Sequence, residues 1–297
     1  MCDDFTEQDN DKFKQTGGQL NRRDFGKLSA AGIFSLYFAS SAKAAGKYEG
    51  KLIESDVNVP MPEGVSDSFF VRPAEGTHPG ILMWPDIRGL RPAFKAMATR
   101  LAAEGYSVLV VNPFYRDAKA PVIDPGKGFG DPGVRETVIP MYRKLTHEAS
   151  MSDARAYISF IDKQEGVDTK RKIGTAGYCM GGPLIMRTAG AVPERVGAAA
   201  SFHGGGLVTD QDDSPHLLIP TSPAHVLHAI AENDDKRSPD AKKVLAEAYK
   251  AAGVPAEIEV YEGTLHGWCP PDSSVYEKVQ AEKAWSRMLH LYKTALV

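Results

Sequence analysis

The stretch KIGTAGYCMGG, residues 172–182, decides the fold, because it runs from a short apolar strand into the pattern G-x-C-x-G. Gly177 and Gly181 permit a sharp turn from strand to helix, which presents residue 179 in a strained, exposed position. The turn also sets the thiol of Cys179 at a helix N-terminus, where the helix dipole and free N–H groups stabilise a thiolate. The pattern predicts a cysteine nucleophile, although a buried cysteine in a small-residue turn fits the same letters.

Apolar strands alternate with helices on both sides of this turn. Strands are predicted at 51–59, 66–71, 80–84, 106–111, 197–202, 224–231 and 256–260, and helices at 93–104, 146–163, 240–252 and 274–294. This alternation is typical of a mainly parallel sheet with helices on both faces, so we predict a single α/β domain over residues 45–297. The long loop 113–133 is expected to lie over the carboxyl ends of the strands, where ligands bind.

A thiol nucleophile needs a base and an acid that orients the base, and candidates for both follow the turn. His266 lies in a loop before the last predicted helix, and Asp234 and Asp235 follow the strand 224–231. The order nucleophile, acid, histidine is that of the α/β-hydrolases. We favour Asp234 as the acid and keep Asp235 as the alternative, since a one-residue rearrangement of the loop would exchange them.

Several segments together resemble the dienelactone hydrolase family of α/β-hydrolases, over nearly all of the chain after residue 45. The matching pieces are residues 112–116, 177–182, 231–234, 265–268, Tyr276 and 281–285. The resemblance implies the α/β-hydrolase fold and a triad of Cys179, His266 and Asp234. It also implies a cofactor-free enzyme that hydrolyses small lactones or esters, with enol lactones such as dienelactone as the family's substrate class.

The resemblance assigns roles to further residues. The oxyanion hole would combine the backbone N–H of Met180, directly after the nucleophile, with that of Ile87 in the loop after the third strand. Asp86 stands where the family usually carries a glutamate that contacts the resting thiol, and its side chain is one methylene shorter. Tyr115 and Arg116 are predicted to contact substrate, because a guanidinium group can pair with a carboxylate through two hydrogen bonds.

The segment HGGG, residues 203–206, superficially matches the oxyanion motif of lipases. That motif belongs before the nucleophile, whereas this segment follows it. We therefore interpret it as a flexible turn at the end of the sixth strand and His203 as a structural residue.

The composition is that of an ordinary soluble protein and excludes several classes of function. The 297 residues are 42% hydrophobic and 25% charged, with a net charge of −3. The absence of a basic stripe argues against nucleic-acid binding. The absence of an H-E-x-x-H motif or paired cysteines predicts no metal site. We expect a monomer whose only ligand is a small molecule, without stable membrane association.

The first 44 residues differ in kind from the rest. Arg22 and Arg23 precede an apolar run at 28–42, and AKA at 42–44 has the form of a signal peptidase site. The segment resembles a bacterial twin-arginine export signal and is too short to span a membrane, which needs about 20 residues. We expect a periplasmic or secreted protein whose precursor binds the twin-arginine export machinery. An N-terminal amphipathic helix kept in the mature protein is the alternative.

Three other functions remain open for this sequence. A glutamine amidotransferase also uses G-x-C-x-G, but it carries its acid two residues after the histidine, where this chain has Trp268. A carboxylesterase of broad specificity would use the same triad on other esters. An exported binding protein could keep the scaffold without the activity, since a fold does not determine a function.

Overall fold

Eight strands form one sheet in the computed structural model, which describes residues 48–297. The predicted export segment, residues 1–44, lies outside the described residues. The strands are β1 (Leu52–Met61), β2 (Gly64–Pro73), β3 (Gly80–Trp84), β4 (Ser107–Val110), β5 (Ile173–Tyr178), β6 (Val196–Phe202), β7 (His225–Ala231) and β8 (Ala256–Tyr261).

The order of the strands across the sheet is β1-β2-β4-β3-β5-β6-β7-β8. β1 pairs antiparallel with β2, and β2 pairs antiparallel with β4, while the remaining neighbours are parallel. The chain changes its direction of travel across the sheet between β4 and β5, which lie on either side of β3. Since ligands in such sheets bind where the strand order reverses, the carboxyl ends of β3 and β5 mark the expected site.

Helices cover both faces of the sheet, as predicted, which confirms the α/β-hydrolase fold class. They are α1 (Pro92–Ala102), α2 (Val134–Arg143), α3 (His147–Ile161), α4 (Gly181–Ala191), α5 (Glu232–Arg237), α6 (Ala241–Ala252) and α7 (Lys278–Ala295), with a 3₁₀ helix at Pro215–Thr221. α1 and α7 pack on one face, and α3, α4 and α6 pack on the other. Among residues 48–297, no helix is both long and apolar enough to cross a membrane.

Strand β3 shows why the central strands read as continuous apolar runs. Ile81 and Met83 point into the core formed with α1 and α7, whereas Leu82 and Trp84 point into the core formed with α3 and α4. All four side chains are fully buried. A parallel strand with helices on both faces has no solvent-facing side, so apolar residues occupy every position.

Two helices were not predicted from the sequence. α2 buries only Val134 and Val138 and contains Pro140, so its apolar periodicity is weak. α5 is six residues long and mostly charged, and the sequence analysis interpreted it as a loop. The second difference matters for the site, because α5 carries both candidate acids.

Candidate active site

Cys179 lies on the turn between β5 and α4, in a left-handed backbone conformation with φ 54°. Close backbone contacts create the turn. A Cβ atom on Gly177 would lie 2.0 Å from the carbonyl oxygen of Gly181, and one on Gly181 would lie 2.7 Å from that of Trp84. Both positions therefore require glycine, and the strand-turn-helix element expected from G-x-C-x-G is present.

The thiol of Cys179 is buried, with 2% of the residue exposed, whereas the pattern predicts an exposed side chain. Neither Cys179 nor Cys269 forms a disulfide bond within residues 48–297. Burial raises the pKa of the Cys269 thiol well above its ordinary value, so this second thiol stays protonated and unreactive. Cys269 therefore belongs to the core, as its apolar surroundings indicate.

A histidine–carboxylate pair lies at the same end of the sheet. The imidazole of His266, in the loop between β8 and α7, hydrogen-bonds through Nδ1 to Oδ2 of Asp234 at 2.7 Å. The backbone N–H of His266 donates to Oδ1 of Asn233 at 2.9 Å, which fixes the histidine loop to α5. The alternative acid, Asp235, instead accepts from Nζ of Lys242 at 2.7 Å. The structure thus brings Asp234, and not Asp235, to His266.

The charges of the three side chains support one another. Burial alone would lower the pKa of His266, but the Asp234 carboxylate and the charge and hydrogen bond of Cys179 outweigh it and raise that pKa to about 10. Burial would raise the pKa of Asp234, yet His266 holds it below its usual range. An imidazolium between a carboxylate and a sulphur atom is the arrangement that stabilises a thiolate.

The loop after β3 passes directly against this turn. Trp84, the last residue of β3, pairs with Gly177 of β5. A Cβ atom on Gly181 would lie 3.2 Å from the carbonyl oxygen of Pro85, so the two backbones are in contact at the N-terminus of α4. Ile87 and Met180 therefore lie on adjoining turns at the carboxyl ends of adjacent strands. This is where two N–H groups must converge to hold an oxyanion.

This geometry agrees with what comparison with known proteins finds. The model of the dienelactone hydrolase family matches residues 67–296. The chain belongs to this family. The resemblance stated from the sequence is therefore confirmed at the level of the family.

Individual relatives are distant. A protein of Methylorubrum extorquens named "Putative carboxymethylenebutenolidase" is 27% identical over 246 residues, covering 80% of this chain and 79% of the relative. A protein of Aquifex aeolicus with the same name is 25% identical, covering 83% of this chain and 99% of the relative. The solved structure of a Klebsiella pneumoniae protein described as a "Putative Dienelactone Hydrolase" is 21% identical, with a TM-score of 0.70 over 82% of this chain and 99% of that one. This last similarity shows the fold.

Three hydrogen bonds hold the carboxylate of Asp86, the residue that stands where the family usually carries a glutamate. Arg91 donates to both carboxylate oxygens of Asp86, at 2.7 and 2.8 Å, and the backbone N–H of Arg88 donates to Oδ1 at 2.9 Å. Burial would raise the pKa of Asp86, but Arg91 outweighs it, so that pKa is lowered. The contact between Asp86 and the resting thiol, predicted from the family, stays a prediction.

Arg91 also links the loop after β3 to the loop that carries His266. Its guanidinium donates to both oxygens of Asp272, at 2.7 and 3.0 Å, and Arg88 forms a second ion pair with Asp272 at 2.9 Å. Asp272 lies six residues after His266. Since Arg91 is almost fully buried, this network fixes the two loops relative to each other. No sequence signal identified it, because the partners are 181 residues apart.

The side chains of Tyr115 and Arg116 hydrogen-bond to other residues of the protein. Asp153, a fully buried residue of α3, accepts from the hydroxyl of Tyr115 at 2.8 Å and from both terminal nitrogens of Arg116 at 2.7 and 2.8 Å. Arg116 also pairs with Glu63. These bonds attach the start of the long loop to α3 and to the end of the β1–β2 hairpin. The predicted role of the two side chains in substrate binding stays a prediction.

The protonation of His266 leads to a prediction about its titration. Its pKa of about 10 lies above the value of about 6.5 in an unfolded chain, so the folded protein binds this proton more tightly. The stability that this proton contributes is complete below about pH 6.5 and is lost as the pH rises toward 10, but a thiolate at Cys179 loses a proton on folding and offsets the resulting slope. The titration is therefore followed directly: the ring signals of His266 in NMR spectra, assigned by their loss in His266→Gln, should titrate near pH 10 and not near about pH 6.5.

A matched control for this measurement is His228→Gln. His228 is a buried histidine on β7, bonded through Nε2 to the hydroxyl of Tyr249 at 2.9 Å, and burial lowers its pKa to about 4. The signals lost in this variant should titrate near pH 4, well below those of His266. Titration of His266 near about pH 6.5 would show that Asp234 and Cys179 do not stabilise its proton.

Proposed function

We propose that this chain is a thiol hydrolase that cleaves a small lactone or ester through Cys179, His266 and Asp234. One observation carries the proposal: Cys179 on the strained turn and His266, which is joined to Asp234 at 2.7 Å, lie buried at the same end of the sheet. A histidine that keeps its proton near neutral pH can balance a thiolate in the resting site. The same proton is then available for a leaving group.

In the acylation step, the thiolate of Cys179 attacks the carbonyl carbon of the substrate. The negative charge that develops on the carbonyl oxygen is held by the N–H groups of Met180 and Ile87. The carbon–oxygen bond to the leaving group then breaks, and His266 donates its proton to the departing oxygen. For a lactone, the leaving oxygen stays attached to the acyl chain. Asp234 keeps Nδ1 of His266 bonded, so that Nε2 faces the reacting atoms.

Hydrolysis of the thioester returns the site to its starting state. His266, now neutral, takes a proton from a water molecule whose oxygen bonds to the acyl carbon. The carbon–sulphur bond breaks with its electron pair remaining on Cys179, and the acid product leaves. The proton stays on His266 and restores the imidazolium–thiolate pair.

Enol lactones are the substrate class that we propose. The family and the names of the two curated relatives support this choice. A panel of dienelactone, saturated lactones and simple alkyl and aryl esters, assayed on the purified chain, tests it. The highest kcat/KM should be for dienelactone. Comparable values across the panel would instead favour a carboxylesterase of broad specificity.

A test with an activated aryl ester distinguishes an enzyme from a binding protein on the same scaffold. Rapid release of nitrophenolate that iodoacetamide abolishes is the result expected from a thiol nucleophile. If iodoacetamide labels Cys179 but the untreated protein releases no nitrophenolate, the binding protein is favoured.

We also propose that the protein is exported by the twin-arginine pathway, on the basis of the pair Arg22-Arg23, the apolar run 28–42 and the AKA sequence at 42–44. A mature chain that begins near Ala45 should be recovered outside the cytoplasm. Arg22→Lys combined with Arg23→Lys should keep the precursor inside, as shown by fractionation and N-terminal sequencing. Normal export of the double variant would contradict the proposal.

A further inference from the structure

His203 lies beside the catalytic histidine, although the sequence analysis interpreted it as structural. It follows β6 directly, as Cys179 follows β5, and these two strands are paired up to Tyr178 and Phe202. Cys179 and His203 are the two non-glycine residues with positive φ among residues 48–297, at 54° and 41°. The imidazole rings of His203 and His266 are in edge-to-face contact, with their centres 5.0 Å apart.

The backbone around His203 is fixed against the nucleophile turn. The N–H of His203 donates to the carbonyl oxygen of Ala229 at 2.8 Å. A Cβ atom on Gly182 would lie 2.5 Å from Cα of Gly204, so the segment after His203 packs directly on the start of α4. The backbone on both sides of the ring therefore contacts β7 and α4.

The ring of His203 lacks the hydrogen bonds that a structural histidine makes. The residue is 1% exposed, and neither ring nitrogen has a hydrogen-bond partner within the part of the chain that the structure describes. By contrast, His228 uses a ring nitrogen to bond Tyr249. Burial of a polar group without a partner destabilises a fold, so such a group calls for an explanation in the function of the site.

The protonation state of His203 suits a neutral hydrogen-bonding role. Burial, assisted by the positive charge of His266, lowers its pKa to about 4, against the opposing effects of Cys179, Asp234 and Asp86. A neutral imidazole offers one N–H donor and one acceptor nitrogen, which matches a water molecule. It also adds no second positive charge beside His266.

We propose that His203 positions the water molecule that hydrolyses the thioester, by hydrogen-bonding it between its own ring and that of His266. This inference rests on the proposed function. In the step concerned, His266 takes one proton of the water and the oxygen bonds to the acyl carbon. The carbon–sulphur bond then breaks toward Cys179. His203 exchanges no proton in this step: it only holds the water at the angle of attack.

The experiment separates the two half-reactions with p-nitrophenyl acetate. With enzyme in excess, nitrophenolate release gives the acylation rate, and the decay of acetyl-Cys179, followed by mass spectrometry, gives the deacylation rate. His203→Gly removes the ring at a backbone conformation that glycine adopts without strain. Deacylation should slow by about tenfold or more, while acylation stays within about threefold of wild type.

Two further variants keep the result interpretable. His203→Asn also tolerates positive φ and keeps a short donor and acceptor, so its deacylation rate should lie between those of wild type and His203→Gly; it carries the measurement if the glycine variant does not fold. His228→Gln controls for the loss of a buried histidine and should change neither rate. Equal falls in both half-reactions, or no change in deacylation, would overturn the inference. If wild type formed no acetyl-Cys179, the proposed function itself would fail.

Discussion

Cys179→Ala is expected to abolish turnover while leaving the fold intact. The change removes one sulphur atom at a position where the left-handed turn is set by Gly177 and Gly181. Loss of a nucleophile typically costs several orders of magnitude in kcat, because residual catalysis comes from binding and the oxyanion hole alone. Steady-state kinetics with an activated aryl ester and thermal unfolding by circular dichroism are the measurements. Turnover above about a tenth of wild type would contradict the mechanism.

The control for this prediction is Cys269, the second cysteine of the described residues. Cys269→Ala removes a thiol that is also buried, in the core beside Trp268 and Trp285. Its effect should appear as a modest loss of stability from the cavity, with most of the activity retained. A larger loss of activity in Cys269→Ala than in Cys179→Ala would identify Cys269 as the nucleophile and contradict the mechanism.

Asp234→Asn should lower kcat by about a hundredfold or more. The asparagine keeps the size of the side chain but loses the charge that raises the pKa of His266, and its amide can present a donor to Nδ1. His266 would then hold its proton less tightly and lose its fixed orientation. Because the pKa of His266 falls in this variant, kcat/KM should begin to decrease at a lower alkaline pH than in wild type.

Asp235→Asn is the matched control, one residue along the same helix. Asp235 pairs with Lys242, which is about one third exposed, and partly exposed pairs of this kind contribute little to stability. Activity should remain close to that of wild type. A larger effect at Asp235 than at Asp234 would transfer the orienting role to Asp235.

The sequence alone could not decide between Asp234 and Asp235. The sequence indicated that a carboxylate follows β7, but it interpreted residues 232–235 as a loop. In the structure they begin α5, and successive helical residues point about 100° apart. Asp234 therefore faces His266 while Asp235 faces Lys242.

Local sequence patterns were sufficient for prediction where the backbone geometry permits only one type of residue. Gly177 and Gly181 are required by contacts below 3 Å, and the full burial of β3 requires its apolar run. Long-range pairing could not be predicted in this way. Arg116 meets Asp153 across 37 residues and Arg91 meets Asp272 across 181, so the sequence could not indicate that these arginines already have partners.

The surroundings of His203 could not be predicted from the sequence for a related reason. The motif HGGG follows the predicted nucleophile in the chain, and for that reason it was interpreted as a turn. A positive φ at a histidine is not visible in a sequence, and neither is the pairing of β5 with β6 that places the ring beside His266. Gly204, directly after His203, was the available signal, because it allows the backbone to approach α4 closely.

The central claim is that catalysis passes through a thioester on Cys179, and peptide mapping of the trapped intermediate tests it most directly. The full chain would be mixed with p-nitrophenyl acetate, quenched in acid during turnover, digested and analysed by mass spectrometry. The account predicts one acetyl group on the peptide that contains Cys179, formed and lost at rates that match turnover. An acetyl group found at a serine or at Cys269, with Cys179 unmodified throughout turnover, would contradict it.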